Sequence, residues 1–207
     1  GTGGNISFVT GADLVTNTGG ASFTIQNTTG TIDNGGNLTL TVSGDLTTQG
    51  LTLFIDNYDF STNAAGHIAA GGNLFVTTEG DLTVDSIDAL INNRSGGAID
   101  SGVSMNFTIG DALKTTGDAG FTISSRFDNT APNGSMLAST IGGDATLLIT
   151  ASSVNIGGSL ISATFGGTDS FSGISNTGST LDGNATYTWD ISGDMTIQGD
   201  ASLDILN

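Results

Sequence analysis

The chain repeats one sequence pattern about six times over its 207 residues. Each copy contains a glycine-rich turn, a run in which apolar and polar residues alternate, a Gly-Asp pair and a second short apolar run. The copies cover residues 4–9, 36–47, 72–84, 103–113, 143–150 and 183–197. A pattern that returns every ~30 to 40 residues is typical of repeat architectures, in which each unit buries its apolar face against its neighbours.

Each repeat is predicted to contain three short strands. The alternating run is the first strand and the residues after Gly-Asp are the second. A third strand follows, at residues 53–57 and 90–93 in the clearest copies and at residues 160–163 in the fifth repeat. Side chains of a strand point to opposite faces in turn, so Leu38, Leu40 and Val42 are predicted to point inward. One more apolar residue precedes each new turn: Ile32, Ile68, Ile99, Ile141 and Leu181.

The repeat spacing varies, and the variation falls between the third strand and the next glycine turn. Insertions at one position per repeat predict a constant core with variable loops on one side. We assign the repeats to residues 1–34, 35–70, 71–101, 102–142, 143–182 and 183–207. Both ends of the chain fall within a repeat, so we expect a single segment from a longer repeat array.

The residue types indicate an all-β fold. Glu, Lys, Arg and Gln are scarce, whereas β-branched and turn-forming residues dominate. The absence of helices between strands excludes a βαβ unit, and a propeller blade needs four antiparallel strands. We therefore predict a parallel β-helix, or β-solenoid, of about six coils of three strands, with each strand stacked on its counterpart in the next coil.

Charge and cysteine content exclude several functions. The net charge is −17, from 19 Asp, one Glu and three basic residues, so nucleic acid and anionic lipid would be repelled. Cysteine is absent, which excludes disulfides, thiolate metal sites and a cysteine nucleophile. No apolar run reaches the length of a membrane-spanning helix, so direct membrane insertion is not expected.

The lines at residues 35–50 and 71–86 resemble the filamentous haemagglutinin-like repeats of large secreted bacterial adhesins, of autotransporter type or exported by a partner protein. The resemblance implies that the β-helix is right-handed and serves as a stalk or adhesive surface. It implies an extracellular or cell-surface location and brings no catalytic residues. The expected partners are neighbouring repeats, other copies of the chain, and glycans or proteins of a host or cell surface.

Four residues are the candidate binding residues. Tyr58 and Phe60 lie in a predicted inserted loop, where exposed aromatic rings suit contact with a sugar or a protein. Arg94 and Arg126 follow the third strands of adjacent repeats and are predicted to be neighbours that bind an anion or pair with nearby Asp. Packing of the aromatic rings onto the helix is the alternative for Tyr58 and Phe60.

The Gly-Asp pairs define a possible metal site. In-register stacking would bring Asp45, Asp81, Asp111 and Asp194 to within ~5 Å of one another along one edge. These carboxylates either cap turns in water or bind Ca²⁺ between coils. Apart from Ca²⁺, no cofactor is expected.

No catalytic machinery is predicted, and the chain is not expected to be an enzyme. His67 is the only histidine, and it lies in a segment predicted to be a solvated loop. The leading hypothesis is a structural and adhesive segment of a large, acidic, extracellular surface or filament-forming protein. The alternative is a β-helix that binds or cleaves carbohydrate, in the manner of a tailspike or a lyase.

Overall fold

In a computed structural model, residues 4–27, 30–59, 64–94, 96–126, 138–161, 172–176 and 178–206 are described. Within these ranges all regular structure is β-strand and there is no helix, so the predicted all-β class is confirmed. The described part of the chain therefore holds no helix able to cross a membrane.

The strands follow one another in the same order in each repeat. The first repeat contains β1 (Ile6–Thr10), β2 (Leu14–Val15), β3 (Ala21–Gln26) and β4 (Thr31–Ile32). The second contains β5 (Leu38–Val42), β6 (Leu46–Asp56), β7 (Tyr58–Asp59), β8 (Ala64–Ala65) and β9 (His67–Ile68). The third contains β10 (Leu74–Thr78), β11 (Leu82–Arg94) and β12 (Ala98–Ile99).

The remaining repeats continue this order. The fourth contains β13 (Val103–Ile109), β14 (Ala112–Thr115), β15 (Ala119–Arg126) and β16 (Thr140–Ile141). The fifth contains β17 (Ala145–Ala151), β18 (Ser153–Ile156), β19 (Ser172–Ser175) and β20 (Thr180–Leu181). The last contains β21 (Ala185–Ile191), β22 (Met195–Ile197) and β23 (Leu203–Leu206).

Three parallel sheets collect these strands. The first sheet has the order β1-β5-β10-β13-β17-β21, which takes one strand from each repeat in chain order. The second sheet has ten strands, because the long strands β6 and β11 each pair with two shorter strands of a neighbouring repeat. The third sheet has the order β20-β16-β12-β9-β4. Each middle repeat thus pairs with the repeats before and after it, and among the strands of the described residues only β7 and β8 pair antiparallel.

The core lies between these sheets and is built from columns of apolar side chains. Leu38 pairs with Ile6 on one side and with Leu74 on the other, and the column continues through Met105, Leu147 and Tyr187. Leu38, Leu40 and Val42 are fully buried, whereas Thr39 and Thr41 between them are not. The predicted inward and outward faces of the first strand are confirmed.

The glycine pairs form corners in which L-residues would be strained. Gly35 and Gly71 have φ values of 123° and 125°, and Gly36 and Gly72 have 71° and 77°. A Cβ on Gly71 would lie 1.8 Å from the carbonyl oxygen of Gly35 in the repeat below. The predicted role of these glycines at the corners is therefore confirmed, and the close stacking of repeats adds a second reason for glycine.

Two predictions about the strands were incomplete. The single apolar residue before each turn, such as Ile68 or Ile99, belongs to a two-residue strand, and these strands form the third sheet. In the second and third repeats, the predicted second and third strands form one continuous strand. Strands of two residues have no alternation to detect, which explains why the sequence pattern shows only their apolar residue.

The third strand of the fifth repeat was wrongly assigned to residues 160–163. The strand that pairs with β15 is β19, in which Ile174 stacks on Ile123. Leu160 instead pairs with Ala119, the first residue of β15. The insertion in this repeat therefore interrupts the third strand and does not follow it. Both segments contain one well-placed apolar residue, so the pattern alone could not distinguish them.

A ladder of buried asparagines lines the corner after the third strand. We call Asn27, Asn57 and Asn93 the asparagine ladder. Asn27 Nδ2 donates to Asn57 Oδ1 and Asn57 Nδ2 donates to Asn93 Oδ1, both at 2.9 Å. Asn57 Nδ2 also contacts the carbonyl oxygens of Gly66 and Ala98 at 3.0 and 3.3 Å, and Asn93 Nδ2 donates to Thr140 O at 2.9 Å. At this corner the chain leaves the sheets, and the asparagine side chains supply hydrogen bonds to main-chain carbonyl groups there.

Aromatic rings fill the core in the last three repeats. The ring of Phe121 meets that of Phe107 edge-on with centroids 4.9 Å apart, and that of Trp189 at 5.7 Å. Phe107 and Phe121 are fully buried. Trp189 points inward onto this cluster, so its ring packs on the core.

Candidate functional site

The four predicted binding residues lie at the ends of third strands. Arg94 and Arg126 are register partners in β11 and β15, so their predicted proximity is confirmed for the backbone, and anion binding stays a prediction. Tyr58 lies in β7 opposite Ala65, in a short antiparallel hairpin. Phe60 lies outside the described residues.

The four Gly-Asp carboxylates do not form one ladder. Asp45 and Asp81 are opposite each other, because Leu46 pairs with Leu82. Ala112 takes the next place, since Leu82 pairs with Leu113, so Asp111 is one residue out of register. Ala112 pairs with Ser153, and Ser153 lies opposite Asp194, so Asp194 returns to the column of Asp81 three repeats further on. Ala112 in β14 and Ser153 in β18 interrupt the column of carboxylates, which a shared Gly-Asp pair could not reveal.

The in-register carboxylates accept hydrogen bonds from the main chain of the next repeat. Asp13 Oδ1 accepts the N–H of Asp45 at 2.9 Å, and Asp45 Oδ1 accepts that of Asp81 at 2.8 Å. Asp81 Oδ1 accepts the N–H of Ala112 at 2.9 Å, and its other oxygen pairs with Lys114. The hydrogen bond from Lys114 lowers the pKa of Asp81. These contacts are those of turn caps between repeats.

We expect Ca²⁺ to leave the thermal stability unchanged. Asp13, Asp45 and Asp81 already use one oxygen on a backbone N–H, and the described residues contain no group of three His, Cys, Asp or Glu side chains suited to a metal. Melting curves in millimolar CaCl₂ and in EGTA check this at matched ionic strength. A rise of more than about 3 °C in Ca²⁺, equivalent to roughly 1 kcal/mol in a chain of this size, would restore the Ca²⁺ hypothesis.

His67 does not lie in a solvated loop, contrary to expectation. It belongs to β9, and its Nε2 atom lies 2.8 Å from Asp100 Oδ2 of the next repeat. Both side chains are about half exposed. The pair joins adjacent repeats at the surface of the third sheet.

The outward face of the third strands is more deeply buried than an outer surface normally is. We call this the shielded face, and its members are Phe54, Asp56, Asp88, Leu90, Asn92, Thr122 and Ser124. Leu90, Asn92, Thr122 and Ser124 are each at most 5% exposed, although they alternate with the inward core residues Ala89, Ile91 and Ile123. Polar side chains so deeply buried on an outer face need partners or serve a function.

Asp88 is the most perturbed carboxyl of this face. Burial raises its pKa from the usual 3.8 to about 6. Among the described residues, none donates a hydrogen bond to its Oδ1 atom. A carboxyl with a pKa near 6 is partly protonated close to neutral pH, so it can donate as well as accept a hydrogen bond.

Two further polar atoms of the shielded face lack partners within the described ranges. They are Asn92 Oδ1 and Ser124 Oγ, on register partners in β11 and β15. The amide nitrogen of Asn92 is used, because it donates to Asp56 Oδ1 at 2.7 Å. Asp88 Oδ1, Asn92 Oδ1 and Ser124 Oγ thus lie on one buried face with no hydrogen-bond partner among the described residues.

The shielded face does not have the geometry of a two-carboxylate glycosidase. Asp56 is the second carboxyl of this face, and it pairs with Asn92, four residues along from Asp88. Four residues along a strand and one strand across put the two Cα atoms about 14 Å apart. Paired glycosidase carboxyls lie within roughly 5 to 9.5 Å of each other. Asp56 and Asp88 are therefore too far apart to act as such a pair.

We expect Asp88→Asn to stabilise the protein at neutral pH. The pKa of Asp88 is higher in the folded state than in the unfolded state. Below about pH 4 the carboxyl is neutral in both states, whereas above about pH 6 it is charged in both, and burial of that charge destabilises the fold. The variant should be more stable by about 1–3 kcal/mol at pH 7.5 and equal to the wild type at pH 3.5. Urea unfolding at both pH values measures this difference.

Asp85→Asn is the matched control, because Asp85 lies in the same strand with an exposed side chain. It should change stability by less than about 0.5 kcal/mol at both pH values. Equal effects of the two variants at pH 7.5 would contradict the conclusion that the buried charge of Asp88 destabilises the fold.

The sequence analysis missed Asp88, Asn92 and Ser124. A signal was present in β11, where Leu90 interrupts the alternation between the inward residues Ala89 and Ile91. Leu90 stacks on Phe54, and two apolar residues at neighbouring outward positions indicate a covered surface. Comparison of the chain with family models, curated proteins and solved structures found no significant match.

Proposed function

We propose that the chain is a right-handed parallel β-helix of about six coils that serves as a structural and adhesive segment of a large extracellular protein. The observation that carries this proposal is the in-register stack of six parallel strands over a continuous apolar core. Right-handedness is favoured because crossovers between parallel strands of one sheet are right-handed in about 98% of cases.

The surface chemistry supports a structural role. Outward positions of the first sheet carry short polar side chains such as Thr39, Thr41 and Thr108. The net charge of −17 keeps such a surface solvated and disfavours nucleic acid and anionic lipid as partners. The resemblance to filamentous haemagglutinin-like repeats supports an extracellular or cell-surface location and a surface layer or filament as the parent structure.

Surface labelling of the source cells tests this proposal. Antibodies raised against the chain should label intact cells, and protease treatment of intact cells should remove the label. Labelling that needs permeabilised cells would overturn the extracellular role. For adhesion, the purified chain on beads should bind a target cell surface above the level of beads that carry a β-rich acidic protein of equal charge.

Carbohydrate binding is the second candidate, and the shielded face favours it. Its unpaired acceptors at Asp88 and Asn92 and the Ser124 hydroxyl match the hydrogen-bonding needs of sugar hydroxyls. A glycan array with the wild type, Asp88→Asn and the exposed control Asp190→Asn tests this. Binding that is lost with Asp88→Asn alone would support it, and release of reducing ends from a bound polysaccharide would extend it to cleavage.

A further inference from the structure

One outer face of the stack carries no charge. The outward side chains of β5, β10, β13 and β17 lie in register from repeat to repeat, and none of them is acidic or basic. We call them the first-sheet face: Thr39, Thr41, Phe75, Thr77, Ser104, Asn106, Thr108, Thr146, Leu148 and Thr150. All of them belong to the middle repeats, so their exposure does not depend on where the sequence begins or stops.

The other two sheets carry carboxylates. Asp45 and Asp81 come directly before strands of the second sheet, and Asp100 and Asp182 come directly after the two-residue strands of the third. In a chain with a net charge of −17, the first-sheet face is therefore the surface that a second acidic molecule can approach with the least repulsion. Depletion of charged residues is also the compositional signal of a protein interface.

The centre of the first-sheet face places one amide between two large apolar side chains. Asn106 lies opposite Phe75 in the repeat before it and opposite Leu148 in the repeat after it, about 4.8 Å away in each direction. Asn106 Oδ1 is buried and has no hydrogen-bond partner among the described residues. Apolar side chains on an outer face and a buried acceptor without a partner both indicate a surface that another molecule covers.

This column of three side chains is complementary to itself. A two-fold axis that runs along β13 through Asn106 reverses the order of the repeats in a second copy. It brings Phe75 of each copy onto Leu148 of the other, and Thr77 onto Thr150. The two Asn106 amides meet at the axis, where a rotation of each side chain lets Nδ2 of one copy donate to Oδ1 of the other.

No two carboxylates oppose each other in this arrangement. Three carboxylates lie beside the first-sheet face, on Glu79 after β10, on Asp144 before β17 and on Asp190 in β21. By the register of the strands, they would lie near Ser152, Gly71 and Thr41 of the second copy, respectively. The arrangement therefore adds hydroxyl groups beside two of the carboxylates and no like charge beside any of them.

The first-sheet face is large enough for a weak dimer. Five strands of each copy overlap, so the contact measures about 24 Å across the strands and about 20 Å along them. This covers roughly 500 Å² on each copy and about 1,000 Å² in total, which is the lower limit for a specific interface. We therefore expect association that depends strongly on protein concentration.

We propose that two copies of this chain pair side by side through the first-sheet face, with Asn106 on the two-fold axis and the repeats of the two copies running in opposite directions. Pairing in the same direction is disfavoured, because it places Phe75 on Phe75 and Leu148 on Leu148 and holds the two sheets at uneven distances. The inference deepens the proposed structural role and rests on it.

Single cysteines test the arrangement, because the chain contains no cysteine of its own. The thiol of Thr108→Cys would meet its counterpart near the axis, within the reach of a disulfide. Thr47→Cys is the matched control, since Thr47 is also an exposed threonine on an outward side, in β6 of the second sheet. Under a mild oxidant, Thr108→Cys should form a covalent dimer about 10-fold faster than Thr47→Cys, because pairing raises the effective concentration of its thiols.

Sedimentation velocity measures pairing without a covalent link. The wild type should form dimers and nothing larger as the protein concentration rises, and more of them as NaCl screens the repulsion between two acidic chains. Thr108→Asp should raise the dissociation constant of the dimer about 10-fold or more, because two carboxylates would meet at the axis. Thr47→Asp makes the same charge change on another face and should leave this constant unchanged. Thermal melting verifies that both variants are folded.

Three results would overturn the inference: a wild type that remains monomeric at about 1 mM, equal cross-linking rates of the two cysteine variants, or equal effects of the two aspartate variants. Cross-linking of Thr108→Cys with Ser104→Cys but not with itself would overturn the opposite direction of the two copies. Surface labelling reports separately on the proposed role. A surface-located but monomeric chain overturns the pairing alone, and a pairing chain found only inside cells overturns the extracellular role alone.

Discussion

The Asn57→Ala variant is expected to lose about 3–5 kcal/mol of unfolding free energy. Asn57 is fully buried, and its amide joins Asn27, Asn93 and the carbonyl oxygens of Gly66 and Ala98. Alanine removes these hydrogen bonds and leaves their partner atoms buried without a new hydrogen bond. Each such unsatisfied group costs about 1–3 kcal/mol of stability.

Urea unfolding followed by circular dichroism measures this loss. Asn37→Ala is the control in the same repeat: Asn37 is half-buried, and its Oδ1 atom accepts the N–H of Asn73 at 3.1 Å. That variant should lose only about 0.5–1.5 kcal/mol, because water can replace its exposed or half-buried hydrogen bonds to Asn5 and Asn73. Equal losses would mean that burial of the asparagine ladder has no special role.

The Phe121→Ala variant is expected to lose a similar amount, about 3–5 kcal/mol. Phe121 is fully buried, and its ring contacts those of Phe107 and Trp189. The sheets on every side are hydrogen-bonded, so the walls of the resulting cavity cannot move far to fill it. Loss of the edge-on ring contacts adds to the loss of buried area.

Phe23→Ala is the matched control, because Phe23 occupies the same column at the open end of the stack. Its ring is only partly buried, with the Phe8 ring at 5.8 Å. This variant should lose about 1–2 kcal/mol, since an exposed site leaves no closed cavity. A larger loss at Phe23 than at Phe121 would contradict the link between burial of the ring and its contribution to stability.

Parts of the fold were predictable because they follow from strict alternation. In β5 every second residue is apolar, and a period of two is the signature of a strand with one buried face. Glycine pairs such as Gly35-Gly36 mark corners because few other residues adopt positive φ. The all-β class and the inward face of the first strands were therefore correctly predicted.

Parts of the fold were not predictable because they depend on which residues stack. The shift of Asp111 relative to Asp81 arises from the pairing of Leu82 with Leu113, and a local motif carries no information about this register. In the fifth repeat, Leu160 and Ile174 are both good core residues, and only the space above Ala119 and Ile123 decides their positions.

The sequence by itself determined that this chain forms stacked repeats of short strands with an apolar interior and an acidic exterior. Local periodicity, glycine positions and charge carry that information, because they act within a few residues. The tertiary structure alone decided the register of the repeats, the asparagine ladder and the shielded face around Asp88. These features join residues about 30 or more positions apart, and their energies depend on contacts that exist only once the repeats have stacked.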